Sequence, residues 1–272
     1  MVDIRLSKSK ILDYINCPRM FYFKHCTTFG KNKQQTSAAF ENGTMLHEIF
    51  EAYNTNRPKF EQYFGFVKGN EEFEKNIYGF FSLLNYFGID RAAYAEPRIY
   101  SEDINVLGVI DAIYWVPEGS EVMVYNPKSK KDPEEPEYVK KVLKKDEYWL
   151  IDYKTGKFHA NRNSEMMLEL YIYEHLANQF LNERYGSTGV EFIDRVGFFY
   201  TKFPEVKFVR PVTKVERNRA MKKFNGIVEK ISNDEFTKVS NNLCAWCAFK
   251  GICDQYHDDV LKELKDHVLM AV

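Results

Sequence analysis

The sequence predicts an α/β protein with one main sheet flanked by helices. Three observations carry this. Apolar residues recur at helical spacing before residue 90; short runs of β-branched and aromatic residues follow at 106–115, 149–154 and within VEFIDRVGFFYTKF; and a long helical segment separates the last two.

The elements follow in order. Ser7 or Ser9 can cap a helix through SKSKILDYIN, and Pro18 marks a break or restart before RMFYFKH. In ENGTMLHEIFEAYN, Met45 and Ile49 stand four apart with Leu46 and Phe50 beside them, so His47 is expected on a helix. KGNEEFEKNIYGFFSLLNYFG continues as helix to Gly88. Val106, Val109, Ile110, Ile113, Tyr114 and Trp115 favour strands, and Pro117 with Gly119 supplies a turn. Lys128 to Glu147, with seven basic and six acidic residues, reads as an exposed excursion between strands. NSEMMLELYIYEHLANQFLNERYG is the longest helix, ending near Gly186, and a basic helix is expected around RNRAMKKFNGIVEKI. With no internal repeat, low-complexity linker or boundary, residues 1–272 are expected to form a single domain.

At 44% hydrophobic residues, the 272-residue chain can bury a substantial core. Its 18 Tyr and 22 Phe suit core packing and equally supply rings on which bases could stack. A formal charge of -1 excludes a polycation of the histone type, so any nucleic-acid partner needs a local basic surface. Residues 202–223, with eight basic and two acidic side chains, fit a phosphate track and a solvated helix face alike. Neither a signal peptide nor a membrane-length apolar run is visible, so a cytoplasmic protein is expected, in the host cytoplasm if viral, with no membrane partner. In a reducing compartment the five cysteines are better read as thiols or metal ligands than as a disulfide framework.

Two motifs carry chemistry. WLIDYKTGK at 149–157 ends an apolar strand with Asp152 and Lys154 on one face and Tyr153 on the other; Asp111 ends the similar run GVID. If these strands pair as an extended hairpin, both carboxylates and the lysine meet at one sheet edge. Neighbouring carboxylates need a compensating cation, and oxygen ligands suit Mg2+ or Mn2+, which can polarise a phosphate oxygen while Lys154 balances charge. Taken alone, Asp-x-Lys also describes a surface salt bridge. The second motif is NNLCAWCAFKGIC, where Cys244, Cys247 and Cys253 can converge on a metal that needs a fourth ligand. Cys17 is the candidate and Cys26 the alternative; spacing does not separate an iron-sulfur cluster from zinc held by four thiolates.

Together GTMLH at 43–47, GVID at 108–111 and DYKTG at 152–156 resemble the RecB-like nuclease branch of the PD-(D/E)XK superfamily. The resemblance implies a restriction-endonuclease-like core with a central mixed sheet. It also implies a divalent metal held by His47, Asp111, Asp152 and the backbone carbonyl of Tyr153, with Lys154 catalytic. Glu96 in YAEPRIY corresponds to an upstream acid of the family, and ELYIY to its Gln-Leu-x-x-Tyr motif, with Glu169 where an amide is usual and Tyr173 as either a DNA contact or a core residue. The 41-residue separation of Asp111 from Asp152 is long for the family, and the polar excursion accounts for it. Some RecB-like nucleases, including the AddB nuclease domain and CRISPR-associated adaptation nucleases, carry an early cysteine and a late trio. By that resemblance Cys17, in CPRMFYF, with Cys244, Cys247 and Cys253 holds a [4Fe-4S] cluster, and residues 1–30 and 238–260 form a clasp closing on the core.

The implied activity is metal-dependent hydrolysis of DNA phosphodiester bonds, as an exonuclease on single strands or duplex ends in replication, recombination or repair. The alternatives are a CRISPR adaptation nuclease trimming DNA before integration and a noncatalytic DNA-binding component. No GxxxxGK[ST] motor motif is present, so the expected partners beside DNA are a separate helicase, a recombination protein or an integration complex.

Overall fold

The computed structural model describes residues 4–32, 38–130, 137–156 and 163–255. They fall into two compact units. One lies within Ser37–Ser101 and Gly108–Ala220, the other within Met1–Thr36, Glu102–Leu107 and Met221–Val272.

The larger unit holds the expected central mixed sheet. Its strand order is β1 (Tyr94–Ala95), β4 (Ala112–Val116), β7 (Glu147–Lys154), β8 (Ile193–Tyr200) and β9 (Lys207–Pro211). Only β7 and β8 run parallel; the other neighbours are antiparallel. A parallel pair needs a crossover, and α6 (Asn163–Tyr185) supplies it, ending in Tyr185 before Gly186 at φ 64°. Because β7 is central, six of its eight positions are buried on one face or the other, and Trp149, Leu150 and Ile151 are all fully buried.

Trp149, Ile151 and Tyr153 join a core with residues of α3 (Ala38–Thr55) and α5 (Glu71–Phe87). That core is aromatic: Phe50 stacks on Phe80 at 4.4 Å, and both meet the Tyr153 ring edge-on. Asn70 caps α5 and Gly88, at φ 71°, ends it in the left-handed conformation that glycine adopts without strain.

Gly79 on α5 has a stricter reason to be glycine. A Cβ there would lie 1.8 Å from the Thr201 carbonyl oxygen, and Thr201 in turn donates its N–H to the Lys154 carbonyl at 3.1 Å. Gly79→Ala should therefore destabilise the protein by about 1–3 kcal/mol, although alanine is the better helix former by roughly 1 kcal/mol. Urea unfolding checks the sign.

A buried ion pair ties two strands together. Arg195 on β8 donates from Nε to Glu147 Oε2 at 2.7 Å, and Trp149 Nε1 donates to the same oxygen at 2.8 Å. Burial alone would raise the Glu147 pKa, but the guanidinium and these hydrogen bonds outweigh it and hold it below 4.5. A depressed folded-state pKa gives stability that is full above the unfolded value and is lost as pH falls through the folded one. Wild type should accordingly lose stability below about pH 4.5 more steeply than Glu147→Gln, which starts about 3 kcal/mol lower at pH 7. Thermal melts across pH 7 to 3 measure both.

The structure adds elements that the sequence pattern hid. Helix α4 (Arg57–Val67) starts at Asn56, whose side chain accepts from the Lys59 N–H. Within the segment read as an exposed excursion, β6 (Tyr138–Val142) pairs antiparallel with β5 (Glu121–Tyr125). Val122, Val124 and Val139 share one face and Tyr125 and Tyr138 the other, and all five lie in or against the core, while Lys140 and Lys141 are exposed. Strand β9 begins inside the basic stretch, so only its second half is helix, as α7 (Lys214–Ser232). A further two-stranded sheet joins β2 (Arg98–Ser101) and β3 (Val106–Val109).

The smaller unit brings residues 14–23 together with residues 235–253. The Ser7 side chain caps α1 (Lys8–Asn16), and Pro18 opens α2 (Pro18–Phe21) at its first position, where its missing N–H costs nothing. Tyr14 packs edge-on against Phe21 and Phe236 and donates its hydroxyl to the Glu235 carbonyl at 2.8 Å. Asn241 donates its side-chain amide to the Asn16 carbonyl at 2.8 Å, beside the segment that leads to α8 (Lys250–Gln255). No described helix in either unit is long and apolar enough to cross a membrane.

Candidate active site and cysteine cavity

Strand pairing sets the first part of the site. Ala112 pairs with Ile151 in the β4–β7 ladder, so its continuation puts Asp111 opposite Asp152. Asp111 itself precedes β4, so the ladder closes one position before the two carboxylates, which follow directly from its last pair. Asp111 Oδ2 also accepts the Tyr153 N–H at 2.5 Å, which ties the start of β4 to β7 through a side chain.

Helix α3 brings the third group. His47 Nδ1 lies 3.2 Å from Asp111 Oδ1 and 3.7 Å from Glu96 Oε1. Glu96 sits between β1 and β2 with φ 50°, a left-handed conformation that is strained for a residue with a Cβ. Its N–H donates to the Asp111 carbonyl at 3.1 Å, so the hairpin backbone holds the turn that carries it. One ligand atom from each of His47, Glu96 and Asp111 falls within 4.8 Å of the others. Its side chain 30% exposed, His47 is not a sealed core histidine but faces a cleft lined also by Phe40, Gly43, Thr44, Glu48, Glu51 and Thr155.

Burial would lower the His47 pKa; Asp111 first, then Glu96 and Asp152, outweigh it and raise it to about 10. Glu96 is pushed up by its own burial and by Asp111, against the pull of His47. The three carboxylates therefore demand positive charge, which the imidazolium supplies when no other cation is bound.

The second part of the site lies on the other β7 positions. Asp152 is 1% exposed, and Lys154 Nζ lies 2.7 Å from its Oδ2. The same ammonium lies 2.6 Å from Glu169 Oε1 on α6 and 4.9 Å from the centre of the Phe198 ring. Lys154 is thus held from three sides. The Tyr153 side chain points the opposite way, where its hydroxyl meets that of Tyr114 at 2.7 Å in the core.

Other sequence candidates resolve differently. Tyr173 is only 5% exposed, and its ring would meet a Cβ added at Gly108, so its setting is that of core packing. Much of the charge in the basic stretch is engaged: Lys202 pairs with Glu72, Arg217 with Glu174 and Glu191, Lys207 lies over Tyr86, and Arg210 over Tyr125 and Phe208. As a continuous phosphate track it is broken at these positions. Glu96 and Glu169, which the resemblance singled out without a place in the expected ligand set, are the two whose contacts geometry supplies, one beside His47 through a turn and one beside Lys154 through a crossover helix.

A divalent cation fits the donor set. One imidazole nitrogen and carboxylate oxygens suit Mg2+ or Mn2+, and the clustered negative charge gives either ion its attraction.

In the smaller unit, Cys17, Cys244, Cys247 and Cys253 line one cavity of about 160 Å³ together with Met20, Phe23, Leu243, Phe249, Lys238 and Lys250. All four are partly exposed, and the Asn241 N–H donates to Cys244 Sγ at 3.4 Å. Cys26 is not on this cavity: it is buried, and desolvation, followed by Asp234, pushes its pKa up to about 12. Among the described residues the ligand atoms that gather within 4.8 Å of one another are those of His47, Glu96 and Asp111; the cysteines share the cavity wall without forming such a cluster.

A comparison with curated proteins gives no match. The stretch from β6 through the late cysteines, residues 139–254, matches the family model of the PD-(D/E)XK nuclease superfamily.

Proposed function

We propose that the chain is a metal-dependent DNA nuclease whose site is formed by His47, Glu96, Asp111, Asp152, the carbonyl of Tyr153 and Lys154. The observation that carries this reading is the gathering of His47, Glu96 and Asp111 ligand atoms within 4.8 Å at the end of the ladder from which Asp152 and Lys154 follow. The superfamily match over 139–254 supports metal-dependent nuclease chemistry, and the acidic donor set supports a hard cation.

When bound, the cation supplies Lewis-acid activation of the phosphate. Glu96, Asp111 and Asp152 would hold it, His47 would complete the donor set from α3, and Lys154 would offset negative charge that grows on the phosphate oxygens. Within this reading Cys17, Cys244, Cys247 and Cys253 hold a [4Fe-4S] cluster in the smaller unit, with a structural role as a clasp of the chain ends. The substrate is single-stranded DNA or duplex ends, attacked as an exonuclease.

The test compares wild type with Asp152→Ala and Lys154→Ala on end-labelled single- and double-stranded DNA, with and without Mn2+. Metal-dependent products should appear with wild type and vanish in both variants while DNA retention and folding persist. Equal cleavage by all three proteins would sink the nuclease reading. Protection of circular DNA relative to linear DNA checks the exonuclease mode.

A further inference from the structure

We infer that Glu169 is a holding partner for Lys154 that leaves Asp152 available to a divalent cation; the inference rests on the metal-dependent reading of this site. Lys154 Nζ contacts Asp152 Oδ2 at 2.7 Å and Glu169 Oε1 at 2.6 Å at once. A metal ion and an ammonium repel each other and compete for the same carboxylate oxygen, so a cation on Asp152 requires Lys154 to yield that contact.

Both acids are almost fully buried, Asp152 at 1% and Glu169 at 5% exposure, and Lys154 has 27% of its side chain exposed. An ammonium stripped of its charged partner there would lose more than water returns to it. The carboxylate at 169 removes that penalty. Glu169 belongs to α6 rather than β7, so it stays in place when Asp152 takes a cation, and the ammonium already touches it. An amide, which the RecB-like motif leads one to expect at this position, would keep a hydrogen bond but not the charge. Glu169 is thus a positioning residue: it acts on the cation through Lys154.

A double-mutant cycle read by calorimetric titration of Mn2+ tests this without any reliance on cleavage. The proteins are wild type, Glu169→Gln, Lys154→Met and the double variant, each first shown by thermal melting in EDTA to be folded. Glu169→Gln should weaken Mn2+ binding about tenfold, because Lys154 then falls back on Asp152, and Glu169→Asp should restore most of the loss. In the Lys154→Met background the same Glu169→Gln change should alter affinity by no more than about twofold, since the competitor is gone. An equal loss in both backgrounds would overturn the inference, as it would mean that Glu169 acts on the ion directly. So would unchanged affinity in Glu169→Gln. Absence of any Mn2+ binding by wild type overturns the metal site itself, an outcome distinct from both.

Discussion

Replacing Asp111 by asparagine should lower metal-dependent DNA cleavage by about a thousandfold or more while the folded state persists. The expectation follows from how much this one carboxylate connects. Oδ1 faces His47 at 3.2 Å, and Oδ2 accepts the Tyr153 N–H at 2.5 Å. Asparagine keeps the shape and one acceptor, so the β4–β7 junction can stay closed. It removes the charge that draws a cation between α3 and the sheet, and the amide nitrogen cannot serve as a ligand oxygen.

Stability should move far less than activity. Asp111 shares its surroundings with Glu96 and Asp152, so loss of its charge also relieves repulsion among acids. The melting temperature of Asp111→Asn in EDTA should stay within a few degrees of wild type. End-labelled DNA assays over a range of Mn2+ concentration supply the first measurement and thermal melts the second. Wild-type rates in Asp111→Asn at low Mn2+ would remove Asp111 from the site.

The sequence made the strand-borne part of this site legible because side-chain alternation is rigid. Once WLIDYK is a strand, Asp152 and Lys154 must share a face and Tyr153 must take the other, and the structure has them so. Helical spacing likewise puts His47 on a helix, and α3 carries it. Where the pattern failed, a local signal was masked by a tertiary one. YVKKV reads as charged excursion because its core contacts are limited to Tyr138 and Val139 beside two exposed lysines, and its pairing with β5 is non-local. Glu96 depends on a left-handed turn that neither proline nor sequence spacing announces, and the Glu169 contact depends on where α6 crosses the sheet. In the smaller unit, spacing showed that three late cysteines could converge. It took the fold to set Cys17 on their cavity and Cys26 away from it.

That last distinction gives the second large effect. Cys17→Ser should abolish absorbance at about 400 nm, remove most of the roughly four iron atoms expected per chain, and lower the melting transition of the smaller unit by about 10 °C or more. Cys17 sits between α1 and α2, remote in sequence from Cys244, Cys247 and Cys253 on the same cavity, so in the proposed cluster it would tie the early helices to the late segment. A bound centre contributes its binding free energy to the folded state, which is why removal of one ligand acts on stability before it acts on chemistry. Cys26→Ser is the matched control. Its thiol is buried, kept protonated by desolvation, and absent from the cavity wall, so the change should cost about 1–2 kcal/mol of packing and leave colour and iron content intact. Zinc instead of iron in wild type would keep the order of the two variants but overturn the iron-sulfur identity. Loss of metal in Cys26→Ser with retention in Cys17→Ser would exchange the fourth ligand, since a thiol that binds metal must leave the buried site described for Cys26.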